Sequence, residues 1–138
     1  MSTRLKEKIE KISEVVTKIS EEASEGKTIV VEGRKDAQAL YSLGIEGKIL
    51  TIKTGGKSFF EFTQQLESFG VGEVVLLLDY DRRGKEATKK LQQNLEHAKV
   101  RVNTKLWREL HCLIGREVQC IESLPSYIET LKLKIPQL

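Results

Sequence analysis

The apolar positions change period along the chain, and each change marks an element. Between residues 4 and 23, Leu5, Ile9, Ile12, Val15, Val16 and Ile19 recur at spacings of three and four with Lys and Glu between them. That is the rhythm of a helix with one apolar stripe. The stripe is expected to cover a core; a seam between two copies of the chain is the alternative. "SEGK", 24–27, breaks the rhythm, and "TIVVE", 28–32, is β-branched and apolar on both faces, as suits a strand in the middle of a parallel sheet. The alternation then repeats. A helix over 33–44 precedes the strand "KILTIK", 48–53, and "TGGKS" leads into the helix "FFEFTQQLESFG". The strand "EVVLLLD", 73–79, is followed by a helix over 82–98, the strand "KVRVN", 99–103, and a helical "TKLWRELHCLIG" with Leu106, Leu110 and Leu113 on one side. The remaining "REVQCIESLPSYIETLKLKIPQL" predicts a short strand or turn before Pro125 and a helix from about Ser126 to Lys132.

Strands alternating with helices of this length imply right-handed crossovers and helices on both faces of a sheet. The expected fold is therefore α/β, a three-layer Rossmann-like sandwich around a mainly parallel four-stranded sheet of order 2-1-3-4. Residues 1–26 add an amphipathic helix to a single domain over 27–138. With 138 residues there is room for one core and no second catalytic domain. Composition adds little: 23 Lys+Arg against 20 Asp+Glu leave a charge of +3, which permits a polyanionic partner without requiring one. Cys112 and Cys120 are too few for a disulfide framework or a four-ligand zinc site. No apolar run approaches a membrane span, so a cytoplasmic protein with no membrane partner is expected.

The chemistry lies at the strand ends. In a parallel sheet the strands finish at one edge, and ligands bind there, where the strand order reverses. Glu32 follows the first strand; Asp79 and Asp81 follow the third, in "LLLDYDRRG", 76–84. If those strands are neighbours, the three carboxylates meet at the switch point. Carboxylates crowded within ~4–6 Å oppose each other's ionisation, so a cation belongs among them. Oxygen donors without His or Cys select a hard ion, and Mg²⁺ takes one or two protein carboxylates with water and substrate phosphate. Mn²⁺ is the alternative ion. An Asp in the first turn of a helix is ordinarily a cap. That reading fits Asp36 and competes for Asp81, but explains Glu32 and Asp79 less well.

"VVEGRKD", 30–36, followed 47 residues after Glu32 by the Asp-Tyr-Asp of "LLLDYDRRG", resembles the paired motifs of the Toprim domain, shared by topoisomerases, bacterial-type primases, recombination proteins and small nucleases. The likeness covers roughly residues 28–112 and is nearest to the small stand-alone Toprim proteins of archaea and to the bacterial ribosomal-RNA maturation nucleases. The resemblance implies Glu32 as general acid or base, or as a metal-holding acid, and Asp79 and Asp81 as Mg²⁺ ligands. It implies Gly33 as the turn that brings backbone N–H groups near phosphate, with Gly84 in a related part, and Asp36 as a supporting or capping acid. No further domain to bring a tyrosine nucleophile or a primase's zinc module is expected. The expected function is thus Mg²⁺-dependent phosphodiester chemistry, as a nuclease acting on RNA or DNA. The alternative is a non-catalytic, metal-dependent nucleic-acid-binding module in a larger complex, with a protein partner or a second copy of the chain.

Basic residues near the same edge support a polyanion. Arg34, Lys35, Lys53, Lys57, Arg82, Arg83 and Lys85 flank the motifs and would give phosphate contacts without base reading. Ser58 reads most simply as a helix cap. Tyr80, Trp107 and His111 read as packing or surface residues. A haloacid dehalogenase phosphatase also carries Asp-x-Asp at a strand end, but there the motif ends the first strand, which here ends in Glu32.

Overall fold

The computed structural model describes residues 2–52 and 58–135. The elements follow in order: α1 (Ser2–Ser24), β1 (Thr28–Val31), α2 (Arg34–Ser42), β2 (Ile49–Thr51), α3 (Phe59–Ser68), β3 (Glu73–Leu76), α4 (Arg82–His97), β4 (Arg101–Asn103), α5 (Lys105–Ile114), a 3₁₀ turn (Ile121–Ser123) and α6 (Leu124–Leu133). The strands run parallel in the order β2-β1-β3-β4. This is the doubly wound α/β sandwich that the alternating pattern predicts.

Alternate residues of the central strands feed opposite faces, since side chains on a strand alternate. Ile29 and Val31 of β1, with Val75 and Leu77, join a core with Ile12, Val15 and Ile19 of α1, Leu40 of α2, and Leu106 and Leu110 of α5. Val30, Val74, Leu76 and Leu78 face the other way, onto Phe62 and Leu66 of α3 and Leu91 and Leu95 of α4. The stripe of α1 is therefore spent on the core. Ile12, Val15 and Ile19 are all buried, each contributing about 1.5–3 kcal/mol by leaving water.

Among the boundaries that differ from the sequence reading, three do so for a clear physical reason. β3 stops at Leu76, three residues before Asp79. Leu77 N–H still donates to Val30 O (2.9 Å), but the Leu78 carbonyl turns away to accept from Trp107 Nε1 (2.7 Å). β4 starts at Arg101, because Lys99 takes the left-handed conformation (φ +64°) and closes the end of α4 instead. α6 starts at Leu124, with Pro125 in its first turn, where a missing N–H costs nothing; the segment before it is a 3₁₀ turn.

Candidate functional site

β1 and β3 are hydrogen-bonded neighbours, with Val30 beside Leu76. The loops that leave them, Glu32–Gly33 and Leu77–Asp81, therefore emerge side by side at the carboxyl edge of the sheet, where the order reverses. Glu32 lies one residue past β1 and is 9% exposed. Asp79 is half-buried, and Asp81 is exposed at the head of α4.

Each loop runs into a helix whose start is held by an aspartate. Asp81 Oδ1 accepts the Gly84 N–H (2.7 Å), capping α4; the capping and ligand readings of Asp81 are compatible, because Oδ2 takes no part in that bond. Asp36, on the first turn of α2, is 7% exposed. Its Oδ2 accepts Gly33 N–H (3.0 Å) and its Oδ1 accepts Glu122 N–H (2.9 Å). Burial, and then the charge of Asp79, raise the pKa of Asp36 above the usual carboxylate value, while these two N–H donors pull it down. The influence of Asp79 on Asp36 places the two motifs in electrostatic reach of one another.

The two motif glycines sit under different constraints. Gly33 has φ −141°, extended backbone open to any residue, and a Cβ there would meet Asp36 Oδ2 at an ordinary 3.8 Å. Its N–H is taken by Asp36 Oδ2. Gly84 is under the stricter constraint, since a Cβ would lie 2.1 Å from the Asp79 carbonyl oxygen. The bare backbone lets the first turn of α4 rest on Asp79 itself.

The residue between the aspartates is the anchor of the second loop. Tyr80 is 1% exposed. Its hydroxyl donates to Trp107 O (2.8 Å), and its N–H donates to Gln119 O (2.7 Å). Its ring stacks on Trp107 (5.1 Å) and on His111 (4.5 Å). Burial, and then Cys112, push the Tyr80 phenol far upward, so it stays protonated. With the return bond from Trp107 to Leu78, α5 and the following segment clamp the backbone on both sides of Asp79.

The basic residues are exposed where the motifs begin their helices: Arg34 and Lys35 on α2, and Arg82, Arg83 and Lys85 on α4. Arg82 pairs with Glu86 (3.2 Å). Lys53 and Lys57 lie outside the described residues. Ser58 caps α3 through the Glu61 N–H (3.1 Å). Sequence reasoning missed one feature, a cleft of about 660 Å³ beside Asp81, lined by Tyr80, Lys85, His111, Arg116 and Gln119 among others. Its far wall comes from residues far along the chain with no motif of their own.

Among the described residues, no three His, Cys, Asp or Glu side chains form a ready-made metal cage. Carboxylate oxygens are the donors that a hard cation such as Mg²⁺ takes, together with water and substrate oxygens. Among the same residues no helix is long and apolar enough to cross a membrane.

A doubly wound parallel sheet with a glutamate after one central strand and Asp-x-Asp after its neighbour defines a Toprim-type domain. The chain belongs to the Toprim-like family, whose model matches residues 29–111. It is similar to a UPF0292 protein of Methanocaldococcus jannaschii, 37% identical over 126 residues, 91% of this chain and 95% of that one. A UPF0292 protein of Methanosarcina barkeri is 33% identical over 94% of this chain and 88% of its own length. The solved structure of a putative protein from Aquifex aeolicus superposes with a TM-score of 0.65 at 24% identity, over 80% of this chain and 95% of that one, a likeness of fold. Family membership brings a metal-dependent, nucleic-acid-related function as its general theme.

Proposed function

We propose that the protein is a Mg²⁺-dependent nuclease, able to use Mn²⁺, that cleaves phosphodiesters of RNA or DNA in the cytoplasm, with Glu32, Asp79 and Asp81 as its working acids. The observation that carries this reading is the pairing of β1 with β3, which delivers both acid-bearing loops to the switch point of the sheet. Asp79 and Asp81 would hold the ion, which when bound polarises phosphoryl oxygens. Glu32, nearly buried one residue past the neighbouring strand, would hold or pass a proton at its carboxylate. Arg34, Lys35, Arg83 and Lys85 would receive neighbouring phosphates, giving affinity that falls with salt.

The test pairs metal titration calorimetry with cleavage of labelled RNA, single-stranded DNA and duplex DNA, using wild type, Glu32→Gln and Asp79→Asn/Asp81→Asn. Cutting that requires Mg²⁺ and falls at least about 100-fold in each variant is the expected result. Metal binding with no product on any substrate would replace the nuclease with a binding module. Wild-type metal affinity in the double variant would remove the site.

A further inference from the structure

The cleft beside Asp81 shares that aspartate and Lys85 with the acid site, and adds parts that the acid site does not use. Lys85 rises from the first turn of α4, His111 lies near the end of α5, and Arg116 and Gln119 sit on the segment that follows. Neither Lys85 nor Arg116 is ion-paired among the described residues. Two acids share the cleft, but Glu86 is held by Arg82 and Asp81 caps α4. The volume, about 660 Å³, falls within the ~300–1,000 Å³ of ordinary ligand sites. His111 brings an aromatic surface. Its ring stacks on buried Tyr80, and its Nδ1 is buried without a hydrogen-bond partner among the described residues, so stacking holds it in place.

Free cations beside an aromatic ring supported from beneath are the two components of single-strand recognition: charge for the backbone and a flat surface for an unpaired base. A duplex keeps its bases stacked and would leave the ring unused. We propose that this cleft is a subsite for single-stranded nucleic acid, with phosphate on Lys85 and Arg116 and a base against His111, so that the strand continues past the phosphodiester at Asp79 and Asp81. This rests on the nuclease reading for its place in a reaction, but binding itself does not.

The experiment measures anisotropy of labelled strands of about 15 nucleotides, DNA and RNA, and of a duplex of equal length, with the whole chain in EDTA. The single strand is expected to bind about 10-fold tighter than the duplex. Arg116→Gln and Lys85→Gln each weaken it and flatten the salt slope by about 0.7. His111→Ala weakens it about 5- to 100-fold with the slope unchanged, His111→Phe restores it, and Lys132→Gln on α6 has no effect. Circular dichroism checks that each variant is folded. Equal or tighter duplex binding, wild-type affinity in Arg116→Gln or in His111→Ala, or a His111→Phe that binds no better than His111→Ala, overturns the assignment. Asp79→Asn separates the two readings, since it should abolish cutting and keep metal-free binding. A chain that never cuts but binds through Arg116 and His111 loses the nuclease and keeps the cleft. One that cuts through Asp79 but ignores Arg116 and His111 does the reverse.

Discussion

The two acid-bearing loops leave adjacent strands and enter helices by the same device, yet they are held differently. The first loop is tied by polar bonds: Asp36, buried, gathers Gly33 N–H and Glu122 N–H. The second is held by packing: Tyr80 between Trp107 and His111, and Gly84 against the backbone of Asp79. The capping aspartate is buried in one and exposed in the other. The difference separates roles that look alike in a sequence. A buried aspartate with both oxygens occupied is a tie between segments, whereas an exposed one with a single oxygen occupied can serve a ligand as well.

Substitutions that touch one loop and spare the other break the comparison most sharply. Gly84→Ala should cost about 3 kcal/mol, because its Cβ cannot sit 2.1 Å from a carbonyl oxygen and α4 must move; Gly33→Ala, whose Cβ would make only an ordinary contact with Asp36, should cost under about 1 kcal/mol. Urea denaturation of the pair checks both, and equal losses would refute the close-approach account. Trp107→Phe keeps the ring stack but leaves the buried Leu78 carbonyl without its donor, at about 1–3 kcal/mol. Asp81→Ala should lose about 1 kcal/mol of helix cap, and Asp81→Asn much less, although both should lose metal affinity. Stability and calorimetry together distinguish the cap from the ligand.

A pH series sharpens the first loop. Burial and the Asp79 charge raise the Asp36 pKa above 3.8, so ionising Asp36 works against folding. The stability of wild type relative to Asp36→Asn should therefore be greatest below that ordinary value and shrink as pH rises through the raised one. A margin that grows with pH, in urea melts between acid and neutral pH, would contradict this. The smallest effect is Arg82→Ala, whose pair with Glu86 is 92% and 63% exposed and should contribute under about 0.5 kcal/mol.

Much of this architecture can be read from local pattern. Apolar runs at 29–31 and 74–78 mark the central strands, and the reversal rule places Glu32 and Asp79 at one edge, because period and crossover handedness are short-range properties of a chain. What local pattern does not carry is the clamp. Tyr80 meets Trp107 27 residues on, Trp107 reaches back 29 to Leu78, and Asp36 meets Glu122 across 86. A tyrosine between two aspartates carries no sign of its partner, and a glycine three residues past Asp81 looks the same whether it admits a phosphate or a backbone. Arg116, Gln119 and Glu122 escape notice for the same reason, and they lie beyond the residues matched by the family model.

That clamp also bears on the order of events during synthesis. The bond from Glu122 to Asp36 and the bond from Tyr80 to Gln119 cannot form while the C-terminal third is still inside the ribosome. Closing such distant contacts is slow and comes late in folding. Sheet and acids can be assembled on a nascent chain, but the edge that carries them takes its final shape only once residues 119–122 have emerged, so a copy made no further than α5 would carry the motifs without a fixed site.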